Sequence, residues 1–265
     1  MIEMPAPPSD FKQMLIVARF EAGFENWKSV VGNISLIAMA SLVVMTLLLL
    51  APVRSETAEI FAASFLFPVF LLVPLASVIF VANNLTSEFE SKTACLLFSN
   101  PVKRSVLMAG KFLASLLYVS CAILVFYLGC SVATYHLFGT VPAGLLLSLI
   151  PAFLYGCTVL ILMFLFGLLF RNSVVAGAVL FAILFLCLPL LQVFLESSGI
   201  STWYLLTHAA GAINAFGGAS MPGPVAIFGR TLSAPDPIIS TLVISIYFIA
   251  FFGLSVLAVR RRDLL

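Results

Sequence analysis

Residues 174–194 read VVAGAVLFAILFLCLPLLQVF, and this uninterrupted run without a charged side chain decides the fold. A helix needs about 20 apolar residues to cross the roughly 30 Å hydrocarbon layer of a bilayer. The two-residue alternation of a membrane β-barrel is absent from this run. Together with five similar stretches, it predicts six transmembrane helices and an all-α, polytopic membrane protein. The other five stretches are 31–51, 61–82, 112–137, 143–170 and 238–259.

The composition agrees with this fold class. Hydrophobic residues make up 62% of the 265-residue chain and charged residues only 9%, which excludes an ordinary water-soluble domain. The first apolar run begins near Val30, behind a charged lead, so we expect a retained span rather than a cleaved signal peptide. We therefore expect a single transmembrane domain over residues 1–265.

The distribution of positive charge predicts the topology. All of the 13 lysines and arginines except Arg54 and Arg230 fall in segments that six crossings place on one side of the membrane. Lysine and arginine accumulate on the cytoplasmic side, so both termini are expected there. The formal net charge of +2 gives no reason to expect a nucleic-acid partner.

An amphipathic segment precedes the first span, at residues 10–29. Apolar side chains such as Phe11 and Leu15 alternate there with Lys12 and Arg19. This pattern is typical of a helix that lies in the membrane interface. It is either a simple anchor or part of a docking surface.

The longest polar cytoplasmic stretch is the loop at 83–111. Ser87 and Glu90 have the spacing of a capping box, in which each side chain bonds the backbone N–H of the other residue. The pattern predicts a short amphipathic helix over residues 87–98, and Pro101 shortly after it marks the end of the helical segment. A solvated hairpin that only connects two spans is the alternative.

On the other side of the membrane, residues 195–237 form a long segment before the last span. Its moderately apolar part, residues 203–216, predicts one or two short helices lying at the interface and capping the bundle.

Side chains that could act in catalysis, bind a metal or carry protons across the membrane are scarce. The predicted spans hold essentially no Asp, Glu, Lys or Arg in their interiors, which argues against a carrier driven by protons or sodium. The two histidines, His136 and His208, have no acidic or cysteine partner at ligand spacing, and no GxxxxGK[ST] phosphate loop is present. The sequence thus predicts a non-enzymatic protein with no catalytic residue, no metal site and no bound cofactor.

One motif in the cytoplasmic loop resembles a known family. Residues 88–104, EFESKTACLLFSNPVKR, are followed by Leu107, Gly110, Lys111 and Phe112. This run is similar to the permease subunits of ABC-2 type ATP-binding-cassette exporters, in which an acidic residue, a leucine pair and Pro-Val-Ser/Thr-Arg precede a Gly-Lys pair. Here Ser91-Lys92-Thr93 stands where Gly-Thr is commoner, and Lys103 replaces the usual Ser or Thr.

The resemblance covers most of the chain and implies a role. The loop helix would be the coupling helix, seated in a cleft of a separate cytosolic ATPase that binds ATP and magnesium. A second permease copy or a homologous permease would complete an exporter in the cell membrane of a prokaryote, in contact with membrane lipids. The residues expected to couple to the ATPase are Glu88, Phe89, Glu90, Lys92, Thr93, Leu96, Leu97, Pro101, Lys103 and Arg104.

Two other functions are compatible with the sequence. The chain could be a membrane anchor that transmits ATPase motion to a partner protein without moving a solute. It could also be a stand-alone carrier or channel.

Overall fold

Every regular element of the described chain is helical. The computed structural model describes residues 9–21, 57–81, 104–170, 173–216 and 235–262, and no strand occurs among them. The α-helices are α1 Asp10–Glu21, α2 Ala58–Leu66, α3 Val69–Val81, α4 Arg104–Phe138, α5 Ala143–Leu147, α6 Leu149–Leu169, α7 Ser173–Phe181, α8 Leu188–Ser197, α9 Leu206–Ala210, α10 Ala212–Ala215 and α11 Pro237–Arg262. A π-helical turn, Ala182–Cys187, joins α7 to α8.

Five helical segments of the described chain are long and apolar enough to cross a membrane. They confirm the prediction of an all-α, polytopic membrane protein. The first predicted span, at residues 31–51, lies outside the described residues. The five segments are Ala58–Val81, Val106–Phe138, Ala143–Leu169, Val174–Ser197 and Pro237–Ala258.

Helix α6 lies at the centre of the packing, in contact with α3, α4, α7 and α11. Glycines let neighbouring helices approach closely. A Cβ on Gly156 would stand 2.9 Å from Ile123 Cδ1 of α4, and one on Gly177 would stand 2.8 Å from Val78 Cγ1 of α3. Small residues commonly occupy such contacts in membranes, where helices associate by van der Waals packing.

Three of the spanning segments are interrupted. A turn at Ser148 separates α5 from α6. A turn at Pro68 separates α2 from α3, since proline lacks the backbone N–H that a continuous helix requires there. Pro189 stands in the first turn of α8, directly after the π-helical turn. Single π-turns within α-helices are frequent at functional sites. Helix α4, by contrast, runs for 35 residues without a proline.

Candidate functional site

The structure describes the surroundings of the predicted coupling loop rather than the loop itself. Residues 83–103, including all predicted coupling residues except Arg104, lie outside the described residues. Arg104 is the first residue of α4. The predicted loop therefore leads directly into the longest helix of the described chain.

Helix α4 is longer than a bilayer requires. At a rise of 1.5 Å per residue its 35 residues extend over about 52 Å, against a hydrocarbon layer of about 30 Å. The sequence predicted a span at 112–137, which is only the apolar part of this helix. A displacement at Arg104 can thus be carried through the bundle by one rigid element.

Helix α1 packs against the first turns of α4. At the contact, a Cβ on Gly110 would stand 2.6 Å from Val17 Cγ1 and 3.0 Å from the Met14 carbonyl oxygen. Real Cβ atoms are essentially never found closer than 3.0 Å to another heavy atom, so the contact requires glycine. This explains the glycine of the Gly110-Lys111 pair in the loop motif.

The opposite face of α1 is exposed and carries both apolar and basic side chains. Phe11, Ile16 and Phe20 are each at least 60% exposed, and Lys12 and Arg19 share the exposed face. The helix predicted over residues 10–29 is present over Asp10–Glu21, and residues 22–29 lie outside the described residues.

Lys111 occupies a different environment from the one its sequence position indicated. The topology assigned it to the cytoplasmic loop, but its side chain is 1% exposed within α4 and makes a polar or electrostatic interaction. Burying an ammonium group is costly unless it is paired. Lys111 thus lies in the packed N-terminal part of α4 rather than in a solvated loop.

Aromatic contacts connect α4 to the neighbouring helices. The rings of Phe80 on α3 and Tyr118 on α4 stack with centroids 4.6 Å apart and an interplanar angle of 10°. Phe112 of α4 meets Phe164 of α6 edge to face at 5.9 Å. Farther along α4, the Tyr127 hydroxyl donates to the Ser148 carbonyl oxygen over 3.1 Å.

A second polar region lies at the other end of the bundle, where α8 meets α9. There Glu196 Oε1 lies 4.0 Å from Nδ1 of His208, and Gln192 contacts both residues. His208 thus has an acidic neighbour in the structure, although no acidic residue stands at ligand spacing from it in the sequence. Within the described residues, no group of three or more His, Cys, Asp or Glu could hold a metal ion.

The two short helices of this region are buried within the described structure. Residues 206–210 of α9 and 212–214 of α10 are all buried, and α9 packs against α8 and α11. The prediction of one or two short helices is confirmed, and their position at the membrane interface stays a prediction. Their small and apolar side chains, such as Ala209 and Ile213, favour this burial.

Asn214 in α10 is fully buried at 0% exposure, and neither side-chain amide atom has a hydrogen-bond partner in the described structure. Such a group costs about 1–3 kcal/mol of desolvation. Asn214→Leu is therefore expected to raise the melting temperature of the purified protein in detergent.

A neighbouring threonine provides the contrast. Thr207, also buried, donates to Gln192 Oε1 over 3.1 Å. Thr207→Val should lower the melting temperature, because it leaves that acceptor without its donor. A melting temperature that falls for Asn214→Leu as well would contradict the cost assigned to the Asn214 amide.

The comparisons with known proteins show the family and leave its activity open. A family model described as "Protein of unknown function (DUF2705)" matches residues 29–265, which begin after α1 and include all the other helices. No curated protein matches the chain. Because the family model covers most of its length, the chain belongs to the DUF2705 family.

Proposed function

We propose that this chain is the permease subunit of an ATP-driven exporter of the ABC-2 type, powered by a separate cytosolic ATPase that binds ATP and magnesium. The observation that carries the proposal is the continuity of α4 with the coupling motif. The motif ends at Arg104, and α4 begins at that residue and runs unbroken to Phe138.

The mechanism follows from this continuity. ATP binding closes the paired ATPase subunits, and the helix predicted over residues 87–98 moves with them. Helix α4 transmits this movement to α3 through the Phe80–Tyr118 stack and to α6 through Phe112 and Phe164. Interlocked side chains in a packed bundle convert such a shift into a change between discrete arrangements.

The proposed substrate path lies beside the α7–α8 segment and α11. The α7–α8 segment contains the π-helical turn Ala182–Cys187, and its outward-facing side chains are largely apolar and exposed. The same is true of α11. In this proposal these surfaces face membrane lipids and a second permease subunit, and the path opens between the two permeases.

Reconstitution tests the proposal. The chain and the ATPase encoded beside it are purified together and inserted into liposomes, and ATP hydrolysis is measured with a panel of amphipathic compounds. If the chain is a permease, at least one compound should stimulate ATP hydrolysis and accumulate on the side of the liposome membrane opposite the ATPase. A stable complex whose hydrolysis no compound changes would favour a membrane anchor, and failure to bind the ATPase would favour a stand-alone carrier or channel.

A further inference from the structure

A connected set of polar side chains joins the end of α8 to α9. Thr202 Oγ1 donates to Glu196 Oε1 over 2.6 Å. Gln192 Nε2 donates to the same oxygen over 3.3 Å, while Gln192 Oε1 accepts from Thr207 Oγ1 over 3.1 Å. The fifth member is His208, whose Nδ1 lies 3.3 Å from Gln192 Nε2. We call these five residues the α8–α9 cluster.

The hydrogen bonds of Gln192 fit a neutral His208. The amide nitrogen of Gln192 can only donate, so in this arrangement Nδ1 of His208 accepts and the ring proton is on Nε2. Thr202 Oγ1, which lies 3.5 Å from Nδ1, has already given its hydrogen to Glu196. A second ring proton at Nδ1 would find Thr202 Oγ1 and Glu196 Oε1 as its nearest acceptors, and both lie farther away than a strong hydrogen bond requires.

A proton added at Nδ1 conflicts with the amide of Gln192. The new N–H would point at the N–H of Gln192, and the nearest acceptors become Thr202 Oγ1 at 3.5 Å and Glu196 Oε1 at 4.0 Å. The bond from Gln192 to His208 is therefore lost. A half-turn of the amide would present Oε1 to the new N–H, but it would also withdraw that oxygen from Thr207 and set it against Glu196 Oε1. Protonation thus weakens the contacts of Gln192 that connect α8 to α9.

We propose that the α8–α9 cluster is a proton-binding site that acts as a latch: neutral His208 holds α9 on α8, and a proton taken up at Nδ1 releases it. The latch requires no ATPase. Only its assignment to the outer face of the membrane rests on the proposed function.

The surroundings of His208 favour the neutral ring at neutral pH. Its side chain is only 6% exposed, and this burial lowers the pKa of His208 below its usual value of 6.5. The Glu196 carboxylate acts in the opposite direction and raises it in part. Because the pKa is lower in the latched state than in the released state, the stability of the latch is complete above about pH 6.5 and is lost as the pH falls.

Besides Glu196, the neighbouring elements carry phenols, a thiol and the carboxylate of Asp236. The carboxylate of Asp236 is occupied in capping α11, where it accepts from the backbone N–H groups of Ile238 and Ile239. Glu196 is the group whose charge acts on His208. The phenols and the thiol are Tyr155 and Cys157 on α6, Tyr204 before α9, and Tyr247 on α11.

Hydrogen–deuterium exchange of the full-length protein in nanodiscs tests the latch. Peptides covering 202–216 are compared at pH 7.5 and pH 5.5 after correction for intrinsic exchange rates. Each pKa unit between the latched and released states corresponds to about a tenfold change in the opening equilibrium. We expect faster exchange of this segment at pH 5.5.

Two variants distinguish the effect of titrating His208 from the effect of changing its packing. His208→Asn keeps an acceptor near the Nδ1 position but cannot titrate, so its exchange should be the same at both pH values. His136→Asn removes the other histidine, which lies on α4, and should keep the native acid response. An acid response of native size in His208→Asn would overturn the proposal.

An NMR titration of ring-labelled histidine provides a second readout that does not depend on the folding of His208→Asn. The His208 midpoint should lie below 6.5, and Glu196→Gln should move it lower, since it removes the charge that stabilises the protonated ring. A midpoint at or above 6.5, or one that Glu196→Gln leaves in place, would overturn the latch. Both readouts use the chain alone, so failure to find an ATPase partner would count against the proposed function and not against the latch.

Discussion

Replacing Glu88 and Glu90 together with lysine is expected to abolish ATP-driven transport while leaving membrane insertion and folding intact. Both carboxylates lie in the predicted coupling helix, where their charge would fix its register in the ATPase cleft. Bringing like charges together at an interface costs several kcal/mol. A penalty of this size is about enough to break the contact between the predicted coupling helix and the ATPase. ATP hydrolysis by the ATPase and transport by the complex are measured in the same liposomes.

A charge change of the same size elsewhere serves as the control. Glu56 lies before α2 and Glu59 lies in its first turn. In the predicted topology both are on the opposite side of the membrane from the coupling loop. Their double replacement by lysine should leave hydrolysis and transport coupled. Normal transport by the Glu88 and Glu90 variant would count directly against the coupling helix.

Gly110→Val is expected to displace α1 from α4. The added Cβ would meet Val17 Cγ1 at 2.6 Å, and the carbonyl oxygen of Met14 at 3.0 Å cannot move without the α1 backbone. Overpacking of this kind typically costs about 1–3 kcal/mol. The displacement is measured as a loss of cross-linking between cysteines introduced on the two helices, and as a fall in coupled transport.

Gly253→Val is the matched control for this substitution. Gly253 also lies within a spanning helix, α11, but a Cβ there would meet nothing within 4 Å. It should keep the cross-link between α1 and α4. Intact cross-linking in Gly110→Val would show that the α1–α4 contact is looser than these distances require.

The apolar stretches of the sequence predicted the helices well, because a bilayer imposes a length and a composition on any segment that crosses it. The same criterion misses polar helix ends. Helix α4 begins at Arg104 and buries Lys111, but the span predicted from the sequence covered only residues 112–137. The interruption at Pro68 followed from proline chemistry, whereas the π-helical turn at Ala182–Cys187 left no sequence signal that we recognised.

The α8–α9 cluster was missed for a geometric reason. Glu196 and His208 lie on different helices. A search for ligand spacing along a single helix therefore does not pair them. The chain reverses at Gly199, whose φ of +78° is accessible mainly to glycine, with Ile200 N donating to the Leu195 carbonyl oxygen over 3.0 Å. The spacing of Gln192 and Glu196, one helical turn apart at the end of an apolar run, was the available signal.

The burial of α9 and α10 was also missed, since moderate hydropathy suits both an interfacial helix and one inserted into a bundle. Ala209, Ala212 and Ile213 are small or apolar enough for either environment, and tertiary packing decides between them. The deep position of Asn214 had no counterpart in the sequence pattern.

Site-specific photo-cross-linking from the coupling loop tests the central claim most directly. A photoreactive phenylalanine analogue replaces Phe89 in living cells, the adducts are identified by mass spectrometry, and the same analogue at Val132, exposed on the far half of α4, is the control. The account predicts an adduct between position 89 and an ATP-binding-cassette ATPase, absent from position 132. Adducts at position 89 with lipid alone, or with a protein from the opposite side of the membrane, would contradict it.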